Sequence, residues 1–342
     1  MVTMGDVALR AGVSQATVSF VLGGRADRLK ISPETRERVL GAARELGYQR
    51  NQLARAMVTG KSRILGFLTT PQANDNIVRI MTGAMEVASE NNYLLKIVHL
   101  SWAGIDNNTI ARCVEWRLAG AIIIGFSDET HRRIFEAFRE SKLPLALVDN
   151  VPQISWGARI GSDDEQGIGQ VIAHLLALGH RKIAYIGGRP SPLSEWREQS
   201  FRAALTHAGL TVPAHWVRSA SWNDAEIIEA QVQGLFTDCG DRLPTAVVCS
   251  ADTIAMTVHR IARARGLRLP DDLSVTGYSN AMLSAFTDPP LTTVDQSFHE
   301  MGRAAASQLI GVAESEEEVP PRNTLLPTRL IVRSSTAIAP AS

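Results

Sequence analysis

From Lys61 onward the chain alternates between two kinds of hydrophobic spacing, and this alternation limits its possible folds more than any other feature. Short apolar runs of strand length stand at 64–68, 94–100, 121–124, 145–148, 182–186, 246–249 and 273–277. Between them, 77–90, 109–117, 131–141, 165–178, 195–207, 225–236 and 253–265 carry apolar residues at helical spacing. Strand, helix and strand in succession build a parallel sheet with helices on both faces. The number of elements suits two such sheets, so two lobes are expected. In open parallel sheets ligands sit beyond the carboxyl ends of the strands, which here means a cleft between the lobes.

Residues 1–49 follow a different rule. Thr3 can cap a first helix whose inner face is Val7, Ala8 and Ala11, and Gly12 supplies a bend. Ser14 can cap a second helix in which Val18, Val21 and Leu22 fall at i, i+3, i+4 and face inward. Gln15, Ala16, Ser19 and Phe20 are then left pointing out. Ser32-Pro33-Glu34 starts a third helix, with Val39, Leu40, Ala43 and Leu46 as its inner stripe and Gly47 at its end. Two short helices around a tight turn predict a helix-turn-helix, whose second helix enters a DNA major groove. A plain helical hairpin is the alternative. Residues 50–60 hold helix formers for about two turns and no wide apolar face. They predict a linker that becomes helical only when held by a partner, against the alternative of a plain flexible linker.

Charge supports the division. The chain is neutral overall, yet residues 1–61 hold ten Lys and Arg against five acids. A basic head on an acidic body suits a polyanionic partner for the head alone. Three scattered cysteines predict neither a disulfide framework nor a zinc site, and His174 and His180 lack metal-ligand spacing. Gly167-Ile-Gly169 is followed by Ile172 rather than glycine, so no dinucleotide fingerprint is present. No cofactor and no metal are expected. The N-terminus has no secretion signal and no apolar run is long enough for a membrane span, so a cytoplasmic location is expected.

DVALRAGVSQATVSFVLGG, SPETRERVLGAARELGY and NQLARAMVTGKSRILGFL resemble the head and hinge of the LacI/GalR family of bacterial transcription regulators. LALGHRKIAYIGG, PTAVVCSADTIAM, GLRLPDDLSVTGYSN, PPLTTVDQ and LPTRLIVRSST resemble the family's body, in the family's order, so the match runs from Val2 to about Thr336. The resemblance implies a small all-α helix-turn-helix head (1–49), a hinge helix (50–60) and a two-lobed α/β body like the periplasmic binding proteins (61–342). Lobe 1 is expected at about 61–161 plus 292–320, and lobe 2 at about 162–291 plus 321–342. It also implies a dimer, or a dimer of dimers, on a pseudo-palindromic double-stranded operator, with a sugar or sugar derivative as effector. No heptad pattern follows Thr336, which favours the dimer.

Carried over by position, the resemblance places Gln15, Ala16 and Phe20 on the base-reading face. Thr3, Ser14, Thr17, Ser19, Ser32, Thr35, Tyr48 and Asn51 match positions that mostly anchor phosphates. Ala54, Arg55 and Met57 match the hinge helix, in which Ala54 and Met57 occupy the positions entering the minor groove, with Met57 where a leucine wedge is usual. Asp149, Arg197, Trp222 and Gln296 match positions lining the effector pocket, where a guanidinium, an aromatic face and oxygen acceptors suit a polyhydroxylated ring. Asp252 and Ser279 complete the expected pocket. The departures are specific: Phe20 replaces a common polar residue and cannot make a bidentate contact with guanine. Gly23 replaces a common asparagine and Arg50 a common proline. Ala251-Asp252 replaces Asn-Asp, and Ser279 replaces an acid that would accept from sugar hydroxyls. The effector is therefore expected to differ from a simple neutral sugar, or the pocket to be retuned toward something less polar or anionic.

The whole reading is a ligand-responsive repressor of carbohydrate-utilisation genes with no catalytic residues. One rival is a solute-binding protein, which the head and the missing leader oppose. Another is a serine hydrolase: Gly277-Tyr-Ser279-Asn-Ala281 nearly matches a nucleophile elbow, with Asp288 or Asp295 and then His299 downstream. The last glycine of that motif is alanine and no oxyanion stretch is present.

Overall fold

The computed structural model describes residues 2–341 except 25, 28, 49–61, 70–73, 100–106, 125–127, 150–155, 189–191, 223, 241 and 316–321. The chain divides into two compact units, Met1–Ser62 and Arg63–Ser342.

In the first unit α1 (Met4–Ala11), α2 (Gln15–Leu22) and α3 (Pro33–Glu45) enclose a small core. Each helix is started by a side chain. The Thr3 hydroxyl accepts from the Asp6 N–H while the Asp6 carboxylate accepts from the Thr3 N–H, a reciprocal capping box. Ser14 and Ser32 cap α2 and α3 through the N–H groups of Thr17 and Thr35. Gly12 makes the turn between α1 and α2 at φ 65°, a conformation open to glycine without strain. Val7, Ala8, Ala11, Val18 and Val21 meet Val39, Ala42 and Ala43 in the core. Leu40, expected on the inner stripe, is exposed. Ala42 is buried instead, because α3 turns its small-residue face to α1 and α2.

The second unit contains two parallel sheets. In the first lobe β1 (Ile64–Thr69), β2 (Leu94–His99), β3 (Gly120–Ile123), β4 (Leu145–Val148), β5 (Ala158–Ser162) and β11 (Arg322–Leu326) lie in the order β11-β5-β4-β3-β1-β2. Helices α4 (Asp75–Glu90) and α11 (Phe298–Glu314) cover one face, and α5 (Asn107–Glu115) and α6 (Asp128–Glu140) the other. Gly83 and Gly302 let α4 and α11 touch backbone to backbone. A Cβ on Gly83 would stand 2.0 Å from the His299 carbonyl oxygen, and one on Gly302 1.9 Å from that of Ile80. In the second lobe β6 (Ile183–Gly187), β7 (Val217–Ser219), β8 (Ala246–Cys249) and β9 (Ser274–Thr276) lie in the order β7-β6-β8-β9. Helices α7 (Asp164–Ala177) and α8 (Pro192–His207) pack on one face, α9 (Ala225–Cys239) and α10 (Asp252–Ala264) on the other. A short antiparallel pair, β10 (Thr293–Asp295) with β12 (Arg329–Ile331), lies beside this lobe, with Val294 in the core of α7 and α8.

Two boundaries differ from the sequence expectation. Strand β11 pairs in parallel register with β5, so 322–326 belongs to the first lobe rather than the second. Residues 293–295 sit with the second lobe, not the first. Backbone pairing decides both, and local composition carries no trace of it. The lobes are therefore joined at 162–164, 295–298 and 326–329. These crossings are tied together: the Asp163 N–H donates to the Leu326 carbonyl at 2.9 Å, and the Thr328 hydroxyl to the Asp163 carbonyl at 3.1 Å. The Ser297 hydroxyl donates to the Pro327 carbonyl at 3.2 Å.

Candidate functional site

On the first unit, α2 exposes Gln15 and Ala16, with Thr17, Ser19 and Phe20 half-buried beside them. Ser14 and Ser32 stand at helix N-termini, where unpaired backbone N–H groups favour anions such as phosphate. Thr3 is exposed, with its hydroxyl engaged by Asp6, and Thr35 is half-buried with its hydroxyl on Ser32. Tyr48 leans on the core of the unit. Asn51, Ala54, Arg55 and Met57, the expected hinge contacts, lie outside the described residues.

In the second unit the predicted effector residues form one network, but with functions that sequence spacing does not reveal. Arg197 is 3% exposed. Its guanidinium donates to the Ser250 carbonyl at 3.0 Å and to Asp164 Oδ1 at 3.3 Å, and its Nε lies 3.1 Å from Asp164 Oδ2. The ring of Tyr278 lies beneath it at 4.1 Å and that of Trp222 at 5.6 Å. The donor fork expected for a ligand is thus taken by Asp164 and Ser250. Burial is the largest single influence and would lower the Arg197 pKa, but Asp164, Tyr278 and Asp149 together outweigh it and hold the guanidinium charged above its ordinary value.

Asp252, expected in the pocket, is also turned inward. One carboxylate oxygen accepts from the Thr293 hydroxyl and the other from the Ala281 N–H, both at 2.6 Å. It holds the loop after β9 in place, and Gly277 must be glycine because a Cβ there would meet the carboxylate at 2.2 Å. Burial raises this carboxyl to about 6, against the hydrogen bonds from Thr293 and Ala281. Gln296 is 1% exposed and links two crossings: it accepts from the Ser279 hydroxyl at 3.2 Å and donates to Ser162 Oγ at 2.9 Å. The Ser162 hydroxyl then donates to Asp164 at 2.9 Å, and the Tyr278 hydroxyl to the same oxygen at 2.8 Å.

Asp149 and Trp222 remain half-buried at the ends of their strands. Asp149 adopts a left-handed φ of 66°, and burial, with Asp164 nearby, raises its carboxyl to about 6 against Arg197 and Asn76. The Trp222 indole lies on Gly188, where an added Cβ would fall 2.2 Å from the ring. Ser162, Asp164, Tyr278 and Arg79 are bonding neighbours of the expected pocket residues that motif spacing missed. Arg79 on α4 reaches across the lobes to the carbonyls of Ser279 and Asn280 at 3.2 and 3.4 Å, and to Asp295 at 3.3 Å. In sequence it is one more polar residue on the Asp75, Asn76 and Thr82 side of the helix, with nothing to mark its reach.

The hydrolase constellation does not assemble. The Ser279 hydroxyl faces Gln296, His299 pairs with Glu86 and Glu300, and Asp288 pairs with Arg263. Among the described residues no cluster of His, Cys, Asp and Glu could hold a metal, and no helix is long and apolar enough to cross a membrane.

Residues 3–51 match the family described as "Bacterial regulatory proteins, lacI family", and residues 172–336 the "Periplasmic binding protein-like domain". The chain joins a lacI-family head to a periplasmic-binding-protein-like body. It is 29% identical to the HTH-type transcriptional repressor PurR of Photobacterium profundum over 91% of each chain. Among solved structures it is similar to the lac repressor dimer bound to operator and the anti-inducer ONPF, with 26% identity and a TM-score of 0.79 over 98% of this chain and 99% of that one. It is also similar to the CelR–cellobiose complex, with 26% identity and a TM-score of 0.71 over 98% of this chain and all of the other. The exposed face of α2 lies within the lacI-family match, and Arg197, Trp222, Asp252 and Gln296 lie within the periplasmic-binding-protein-like match.

Proposed function

We propose that the protein is a ligand-responsive, sequence-specific DNA-binding repressor of carbohydrate-utilisation genes, acting in the cytoplasm and without catalytic activity. One observation carries this: a capped helix-turn-helix that exposes Gln15 and Ala16 on α2 is joined in one chain to an α/β body of two parallel sheets. The operator complex of the lac repressor and the cellobiose complex of CelR support the same division of labour here. Gln15, Ala16 and Phe20 read base edges, while Ser14, Thr17, Ser19, Ser32 and Thr35 anchor phosphates. Asn51, Ala54, Arg55 and Met57 make the hinge contacts.

The effector is a sugar derivative held between the lobes. Asp149 and Trp222 touch it, and Ser279 stands beside it. Arg197, Asp252 and Gln296 act through their neighbours, keeping the strand ends in register. Binding shifts the balance between lobe arrangements by a coupling of roughly 1–3 kcal/mol, which is felt at the operator. The protein dimerises through the β2 edge, where Leu94 and Ile97 are exposed, and through the turn bearing Met282, Leu283 and Phe286.

The test is a gel shift of the full chain on genomic fragments across a salt series, with and without sugars. A sequence-selective, salt-sensitive shift that a sugar changes supports the function. A protein indifferent to every duplex overturns it.

A further inference from the structure

A cavity of about 900 Å³ opens on the flank of the body, and none of the chemistry above uses most of its lining. That volume is at the upper end of the roughly 300–1,000 Å³ seen for pockets enclosing drug-sized ligands. One end is polar, with Asp149, Arg159, Ser162 and Asp163 of the first lobe and first crossing. The other end is mostly apolar: Ile172, Ala173 and Leu176 of α7 stand with Ala203 and Ala204 of α8 and with Ala208 just past its end, interspersed with the polar Gln199, Ser200 and His207. The cavity-lining positions on each helix recur at three- and four-residue intervals along about 18 Å, so they form a groove rather than a point. The helices begin side by side, because Asp164 at the start of α7 pairs with Arg197 near the start of α8. The groove therefore starts at Asp149 and Asp164 and runs away from them.

Two further observations say what the groove accepts. Trp196 lines it while remaining 40% exposed, and its ring already has a flat partner, the Arg159 guanidinium at 5.2 Å. Leu325 of β11, 55% exposed, lines it too. A surface rich in alanines beside an indole offers apolar contact to a flat group, with Gln199, Ser200 and His207 as the hydrogen-bonding groups along it. At the polar end Asp149, Asp163, Asp164 and Glu165 stand against Arg159, which disfavours an anionic head.

We propose that the effector is a neutral glycoside with an aromatic aglycone, its sugar at Asp149 and its ring along the α7–α8 groove against Trp196. This rests on the sugar-binding reading of the cleft and names the class of ligand for it. It also accounts for a pocket that lacks the usual acid at Ser279: part of the affinity comes from the aglycone rather than from sugar hydroxyls.

The experiment is calorimetry on the full chain with matched methyl and phenyl β-glycosides of glucose, galactose, xylose and mannose. The phenyl member of the recognised pair should bind about tenfold more tightly or better, as expected for burying one ring face. Ala203→Phe, a change at an exposed position that fills the groove, should reduce that preference to about twofold while leaving the methyl glycoside unchanged. Trp196→Ala should reduce it as well. Equal binding of methyl and phenyl members to the wild type overturns the inference and leaves the sugar cleft standing, as does a preference that survives both variants. If no glycoside of either kind binds, the sugar reading of the cleft fails and the inference falls with it.

Discussion

Arg197→Ala separates a ligand-binding residue from a structural one. The guanidinium is 3% exposed and is the cation paired with buried Asp164. Removing it leaves a buried carboxylate without its counter-charge and the Ser250 carbonyl without its donor. Breaking a buried pair in this way costs about 3–5 kcal/mol. A domain of 150–250 residues loses roughly 2–4 °C of Tm per kcal/mol, so the melting of unit 63–342 should fall by roughly 6–20 °C. Scanning calorimetry on the full chain reads this, the 1–62 unit serving as an internal reference. The double variant Arg197→Met with Asp164→Asn removes both charges and keeps an acceptor for Tyr278. It should recover a large part of the loss, because a neutral pair of similar volume has no ion left unpaired. If Arg197→Ala instead melts within about 2 °C of the wild type and loses only its effector response, the guanidinium is a free donor fork and the reasoning from burial is wrong.

Gly302→Ala should destabilise the body by more than about 3 kcal/mol, since the new Cβ lands 1.9 Å from the Ile80 carbonyl oxygen and α4 must move away; urea unfolding reads this. Gly188→Ala should drive the Trp222 ring from its seat and weaken effector binding while operator affinity without effector is unchanged, measured by calorimetry and gel shift. Gln15→Ala should cost about 1–3 kcal/mol at one base pair of each half-site, seen as relaxed selectivity in a panel of operator variants. Acid dependence has two opposing parts. Asp252 sits at about 6 when folded against an ordinary 3.8, so the cost of its ionisation is relieved as pH falls from 6 to 4, by up to about 3 kcal/mol. His259 sits at about 4 against 6.5, so its contribution is lost as pH falls through the same window. Asp252→Asn removes this carboxyl's share of the relief and leaves that of Asp149, also at about 6, so its stability should fall more steeply than the wild type's between pH 6.5 and 4.5. Parallel curves would show that this carboxyl titrates normally.

The head was readable almost residue by residue. Thr3, Ser14 and Ser32 cap the expected helices, and Val7, Val18 and Val39 meet in the expected core. Such signals lie within one turn of chain, where spacing alone states the outcome. The body was readable as alternation but not as pairing. Ala158–Ser162, with an arginine, a glycine and a serine in five residues, is a strand only because β4 and β11 bond to it. Helix α11 has buried positions at helical spacing, Met301, Ala305 and Leu309 among them, yet its small residues show their purpose only against Gly83 of α4.

The amino-acid order alone determined a capped helical head, an alternating body and a resemblance to a family, because caps, periods and motifs are properties of neighbouring residues. Only the tertiary structure decided which polar groups face a ligand and which face the protein. Arg197 meets Asp164 across 33 residues, Asp252 meets Thr293 across 41, and Gln296 meets Ser162 across 134. A buried polar group must find a partner somewhere in the fold. Which partner it finds depends on where distant strands end, and no local pattern records that.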